Sequence, residues 1–122
     1  MRKTILAADD SPVARDALCK IFEAEKGYEL RAIAVNGEEA IALAKEYKPD
    51  LIILDLVMPV VNGIDAARVL KRIMPNTPII LFTVYNDTAT HHLLGKSVPI
   101  DRIVAKSEVS SLVRHVRSVL AA

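Results

Sequence analysis

The chain has 122 residues, a length that suits one compact domain. Its composition, 52% hydrophobic and 25% charged, can fill a core and argues against disorder. The formal net charge of +1 gives no strong field to advertise a nucleic-acid or membrane partner, and the single cysteine, Cys19, excludes an internal disulfide and a metal site built on thiolates.

Arg2-Lys3 ahead of Ile5-Leu6-Ala7-Ala8 is a faint secretory pattern, but the apolar run stops at Asp9, too early for a signal sequence. No stretch approaches the roughly 20 apolar residues of a membrane helix. A cytoplasmic location is expected.

Thr4 to Ala8 is a short continuous apolar run, the pattern of a strand buried on both faces. Ser11-Pro12 opens a helix, with Ser as N-cap and Pro in the first turn. Val13, Ala17, Leu18, Ile21 and Phe22 share one face of it. Cys19 reads as a partly packed residue of this helix, and Gly27 as its left-handed cap. Leu30 to Val35 forms a second strand, with Arg31 suggesting an edge position. Asn36-Gly37 turns the chain into a helix whose first turn holds Glu38 and Glu39, where the helix dipole favours acids. Leu51 to Leu54 is the clearest strand and ends on Asp55. A loop through Met58-Pro59 and Asn62-Gly63 leads to a helix from about Ile64 to Ile73. Ile79 to Phe82 is the fourth strand, ending at Thr83, and a weak fourth helix is expected between Asn86 and Gly95. Ile103 to Ala105 is a short fifth strand before Lys106, and an amphipathic helix runs roughly from Glu108 to Leu120.

Five alternations of strand and helix imply an α/β fold, a parallel sheet with helices on both faces. Right-handed crossovers put every strand's carboxyl end at one edge, where open α/β sheets bind ligands. Asp9, Asp10, Asp55, Thr83 and Lys106 all fall there. Clustered carboxylates repel one another, and a hard divalent cation with oxygen ligands relieves the repulsion. A carboxylate can also accept a phosphoryl group, with a lysine neutralising one phosphoryl oxygen and a threonine hydroxyl donating to another.

In this order and at these strand ends, the residues resemble the receiver domain of bacterial two-component response regulators. The matching motifs are Asp9-Asp10 before Ser11-Pro12, Asn36-Gly37-Glu38-Glu39-Ala40, Pro49-Asp50 leading to Leu54-Asp55, Met58-Pro59 with Gly63, Thr83, and Lys106. The resemblance covers essentially all of residues 1–122 as one receiver domain. It implies a flavodoxin-like (βα)5 doubly wound sheet of strand order 2-1-3-4-5. It implies that Asp55 is the phosphoacceptor and that Mg²⁺ is bound most directly by Asp10, with Asp9 beside it and the backbone carbonyl of Val57 completing the set. Thr83 and Lys106 would engage the phosphoryl oxygens. A sensor histidine kinase or phosphotransfer protein would be the donor. A downstream protein or fused output domain would read a changed face around the fourth helix, fifth strand and last helix. Phosphorylation-dependent homodimerisation is a further possibility, and no direct nucleic-acid binding is expected of this domain.

Several positions depart from the family. Ile103 stands where many receivers carry Tyr or Phe, and it has neither the ring nor the hydroxyl of the usual threonine–aromatic readout. Val84 follows Thr83 where a small residue is common. Val57 and Tyr85 cannot orient a water, which predicts slow self-dephosphorylation. Ser107 replaces a frequent proline and is expected to cap the last helix. His91, His92 and His115 read as surface or groove residues. Two alternatives remain: a Mg-dependent phosphohydrolase, disfavoured because Val57 stands where such enzymes carry a second acid, and a phosphorylation-independent interaction module. A flavin carrier lacks the required phosphate loop after the first strand.

Overall fold

The computed structural model describes residues 2–84 and 99–121. In chain order these form β1 (Lys3–Ala8), α1 (Pro12–Glu23), β2 (Tyr28–Ala34), α2 (Gly37–Tyr47), β3 (Leu51–Leu54), α3 (Gly63–Ile73), β4 (Ile79–Thr83), β5 (Arg102–Ala105), a 3-10 helix (Lys106–Ser111) and α4 (Leu112–Ala121). The expected helix between Asn86 and Gly95 lies outside the described residues, as do Tyr85, His91 and His92.

All strand pairs are parallel, and the sheet order is β2-β1-β3-β4-β5. This is the flavodoxin-like arrangement expected. Because side chains alternate across a strand, each strand feeds two cores. Leu6, Ala8, Ile52, Leu54, Ile79 and Leu81 pack with Ala40, Ala44, Ala66, Ala67 and Leu70 of α2 and α3. Ile5, Ala7, Leu51, Ile53, Ile80 and Phe82 pack with Leu18 and Phe22 of α1 and Leu112 and Val116 of α4. Each large aliphatic side chain fully buried in these layers contributes about 1.5–3 kcal/mol.

Helix starts follow their caps. Ser11 Oγ accepts from Ala14 N, Asn36 Oδ1 from Glu39 N, and Asn62 Oδ1 from Asp65 N. Three local expectations are corrected. Helix α1 stops at Glu23, and Gly27 adopts no left-handed φ; its carbonyl instead accepts from Lys3 N at 3.0 Å. A left-handed cap does occur, at Lys48 after α2, with φ 48°. Ser107 caps nothing: it sits inside the 3-10 helix, which opens on Ala105 without a side-chain cap. Cys19 is exposed rather than partly packed.

Candidate functional site

Four strand ends converge at the carboxyl edge. Ala8 pairs with Leu54, and Asp55 N donates to Ala8 O at 3.0 Å, so Asp9 and Asp55 leave adjacent strands at the same height. Thr83 pairs with Ala105, which sets Thr83 and Lys106 at the ends of the next two strands. Asp9, Asp55 and Thr83 are the buried polar residues of the described chain, at 1%, 6% and 0% exposure. Asp10 is exposed. Carboxylate oxygens of Asp9, Asp10 and Asp55 lie within 4.8 Å of one another.

Lys106 closes the cluster. Its Nζ is 2.7 Å from Asp9 Oδ2 and 3.2 Å from Asp55 Oδ2. The lysine thus reaches Asp55 across β4 and Asp9 one strand further. Asp55 Oδ1 accepts from Leu56 N at 2.8 Å. Asp9 Oδ1 accepts from Ser11 N at 2.9 Å. Asp9 Oδ2 is sealed from solvent without a well-directed hydrogen bond, and the Lys106 ammonium is its ion-pair partner.

Burial, and then the neighbouring charge of Asp9, push the Asp55 carboxyl above its ordinary value, and Lys106 offsets this only in part. Burial pulls the Lys106 ammonium down, but the two carboxylates outweigh it and hold the lysine above its usual range. Lys106 therefore offsets the crowded carboxylates incompletely. The donor set fits a further hard cation: all oxygens, one acid exposed to bulk water, and one buried oxygen short of a hydrogen-bond donor.

The loop from β3 to α3 is shaped around Asp55. A Cβ on Gly63 would stand 2.0 Å from the Asp55 carbonyl oxygen, so only glycine fits, and Gly63 N donates to Leu56 O at 2.9 Å. Gly37 makes the same allowance for Val61, whose carbonyl accepts from Gly37 N. Val60 has φ 69°, and Val61 N donates to Pro59 O at 2.8 Å, a tight three-residue turn that a β-branched residue occupies at a cost. Val57 is 55% exposed and Val84 is 68% exposed, both at this edge. Ile103 pairs with Leu81 and packs among the α2–α3 core residues.

Sequence reasoning did not single out Arg15. Its guanidinium donates to the Asp9 carbonyl at 3.0 Å. A signal was present: Arg15 lies four residues past the N-cap Ser11, one helical turn on, which returns a long side chain toward the strand end. His115 meets Arg102, with Arg102 Nη1 3.2 Å from His115 Nδ1. Burial and then Arg102 lower its pKa.

A family model of the response regulator receiver domain matches residues 5–117. The chain belongs to this family, the receivers of bacterial two-component systems. The receiver is 39% identical over 89 residues to the chemotaxis protein CheY of Thermotoga maritima, an alignment spanning 73% of each chain. It is 35% identical over 118 residues to the DNA-binding response regulator MtrA of Mycolicibacterium smegmatis, covering 97% of this chain and 50% of that one. A LuxR-family two-component response regulator from Aurantimonas sp. SI85-9A1 is similar in structure, with TM-score 0.90 at 29% identity over 99% of the receiver and 86% of that chain. The receiver spans from 21% to 50% of the length of several curated relatives it matches. Fold and relatives match signalling receiver domains, and the three-aspartate cluster is consistent with a phosphoaspartate switch. No helix among the described residues is long and apolar enough to cross a membrane.

Proposed function

We propose that residues 1–122 form one receiver domain in which Asp55 takes a phosphoryl group from a phosphohistidine of a sensor kinase or phosphotransfer protein. The observation that carries this reading is the placement of Lys106 between Asp9 and Asp55 beside a third carboxylate. An Asp55 carboxylate oxygen attacks phosphorus, and the P–N bond of the donor breaks with its electron pair staying on the imidazole. Lys106 then pairs with a phosphoryl oxygen instead of the free carboxylate, and the Thr83 hydroxyl donates to another.

Asp10 and Asp55, with Asp9 beside them and the Val57 carbonyl, would hold Mg²⁺. When bound, the ion neutralises charge developing on the phosphoryl oxygens. The exposed apolar side chains of Val57 and Val84 next to a charged centre suit contact with a partner protein. The added phosphoryl charge would bias a two-state equilibrium and change the protein-binding face that a downstream protein, a fused output domain or a second copy reads. Ile103, half-buried against the core, has no ring or hydroxyl, so the readout proceeds by a route other than an aromatic swing. The domain would act in the cytoplasm and leave DNA contact to other domains.

A transfer assay tests this. Wild-type chain given a small-molecule phosphodonor and Mg²⁺ should gain one acid-stable, base-labile phosphoryl group; Asp55→Ala should gain none. Equal labelling of both, or labelling indifferent to Mg²⁺, overturns the assignment.

A further inference from the structure

Asp10 is the exposed member of the acidic cluster, and among the described residues its side chain has no hydrogen bond or ion pair. Its place beside Asp55 is therefore set by the backbone that carries it. The residues that flank it are held. Asp9 N donates to Ala34 O at 3.0 Å, Ser11 N to Asp9 Oδ1 at 2.9 Å, and Arg15 N to Ser11 O at 3.0 Å. The carbonyl of the Asp9–Asp10 peptide accepts from Arg15 Nη1 at 3.0 Å.

A peptide group is planar, so fixing its carbonyl also fixes the direction in which the next residue leaves. The guanidinium is half-buried and charged, and such a bond is about twice as strong as a neutral one. Arg15 itself comes from the first full turn of α1, whose start is set by Ser11 and Pro12. The carbonyl is thus tied to a rigid helix rather than to another loop.

We propose that Arg15 is a positioning residue of the cation site: it locks the Asp9–Asp10 peptide so that the otherwise unheld Asp10 carboxylate faces Asp55. This rests on the reading of the cluster as a Mg²⁺ site. Two physical accounts of Arg15 predict opposite signs. As a mere positive charge beside a cation site, its removal tightens Mg²⁺ binding. As the clamp on the Asp9–Asp10 peptide, its removal weakens binding, by about tenfold for a group that orients a metal ligand.

The experiment titrates MgCl2 into ¹⁵N-labelled wild type, Arg15→Met, Arg15→Lys, Asp10→Asn and the Arg15→Met/Asp10→Asn double variant, following amide shifts. Methionine keeps the packing of the arginine stem, and lysine keeps one charged donor. Arg15→Met should raise the Mg²⁺ dissociation constant about tenfold, and Arg15→Lys should recover part of the loss. In the Asp10→Asn background, Arg15→Met should change it less than about twofold, since no Asp10 carboxylate is left to position. Without metal, the Asp10 amide should shift in Arg15→Met while the amide of Lys106 stays in place. Tighter or unchanged binding in Arg15→Met overturns the proposal, as does a loss of the same size in the Asp10→Asn background. If Arg15→Met fails to fold, Arg15→Lys decides: binding weaker than wild type with a shifted Asp10 amide supports the clamp, and equal or tighter binding overturns it. A wild type that shows no Mg²⁺-dependent shift overturns the metal reading itself, a separate and recognisable failure.

Discussion

Lys106 lies closer to Asp9, at 2.7 Å, than to the proposed phosphoacceptor Asp55, at 3.2 Å. Strands β3 and β4 stand between β1 and β5, a separation of three strand spacings or roughly 14 Å. Only a long side chain leaving the sheet edge spans it. The lysine thus holds two carboxylates at once, and losing one partner still leaves it a counter-charge.

Replacing Lys106 by methionine removes the ammonium and leaves two buried carboxylates without a cation. Stripping one side of a buried ion pair costs about 3–5 kcal/mol. Urea unfolding of Lys106→Met in EDTA at pH 7 should show a loss of about 3 kcal/mol, and added Mg²⁺ should restore part of it. A midpoint unchanged from wild type in EDTA would contradict this account of the site.

Asp55 carries a pH signature of known sign. Its folded pKa is raised above the ordinary 3.8, mainly by burial and then by Asp9. The folded state therefore holds the Asp55 proton more tightly than the unfolded chain. Asp55 favours folding below about pH 3.8, and that contribution is lost as pH rises through the folded value. At neutral pH without metal, the ionised carboxylate is a net burden. Asp55→Asn should be more stable than wild type at pH 7 in EDTA, with a higher Tm. The gain should vanish as pH falls below 4, and Mg²⁺ should reverse it by stabilising only the wild type. Thermal melts across pH 3.5–7.5 decide; a variant less stable than wild type at pH 7 in EDTA contradicts the burden.

Gly63 and Gly27 make a matched pair. A Cβ at Gly63 would meet the Asp55 carbonyl oxygen at 2.0 Å, whereas one at Gly27 meets nothing within 4 Å. Gly63→Ala should lose about 2–3 kcal/mol and displace the Asp55 backbone, seen as shifts in the amides of Asp55 and Leu56. Gly27→Ala should be neutral or gain up to about 1 kcal/mol by restricting the unfolded chain. Comparable losses in both variants would refute the close-approach argument.

Val57 sets the last expectation. Its exposed apolar side chain beside Asp55 cannot orient an attacking water. The phosphorylated wild type should decay slowly, and Val57→Asn should shorten its half-life several-fold at unchanged stability. Decay followed by phosphate release checks this, and a wild type as short-lived as the variant would sink it.

The strand order came with the resemblance to receiver domains; the strand–helix alternation and the edge on which Asp9, Asp10, Asp55, Thr83 and Lys106 gather were legible in the chain itself. Each depends on patterns a sequence carries directly: unbroken apolar runs such as Leu51–Leu54, caps at Ser11, Asn36 and Asn62, and the rule that parallel crossovers share one hand. Short-range ends were less legible. Gly27 looked like a helix cap because glycine commonly is one, but α1 had already ended at Glu23 and its carbonyl was needed by Lys3 of the neighbouring strand. Ser107 had a capping side chain, yet the chain after Lys106 tightens into a 3-10 turn that opens at Ala105.

What the sequence by itself determined is which residues reach the site, because strand length and alternation decide where each apolar run gives way to a polar side chain. How those residues divide the work was decided only by tertiary structure. Whether Lys106 pairs with Asp9 or Asp55, which acid is buried and which exposed, that Arg15 returns to the Asp9 carbonyl, and that Gly63 must yield to the Asp55 backbone all depend on ångström distances between segments far apart in the chain. Electrostatic and steric energies change steeply over such distances, and periodicity along a chain carries no information about them.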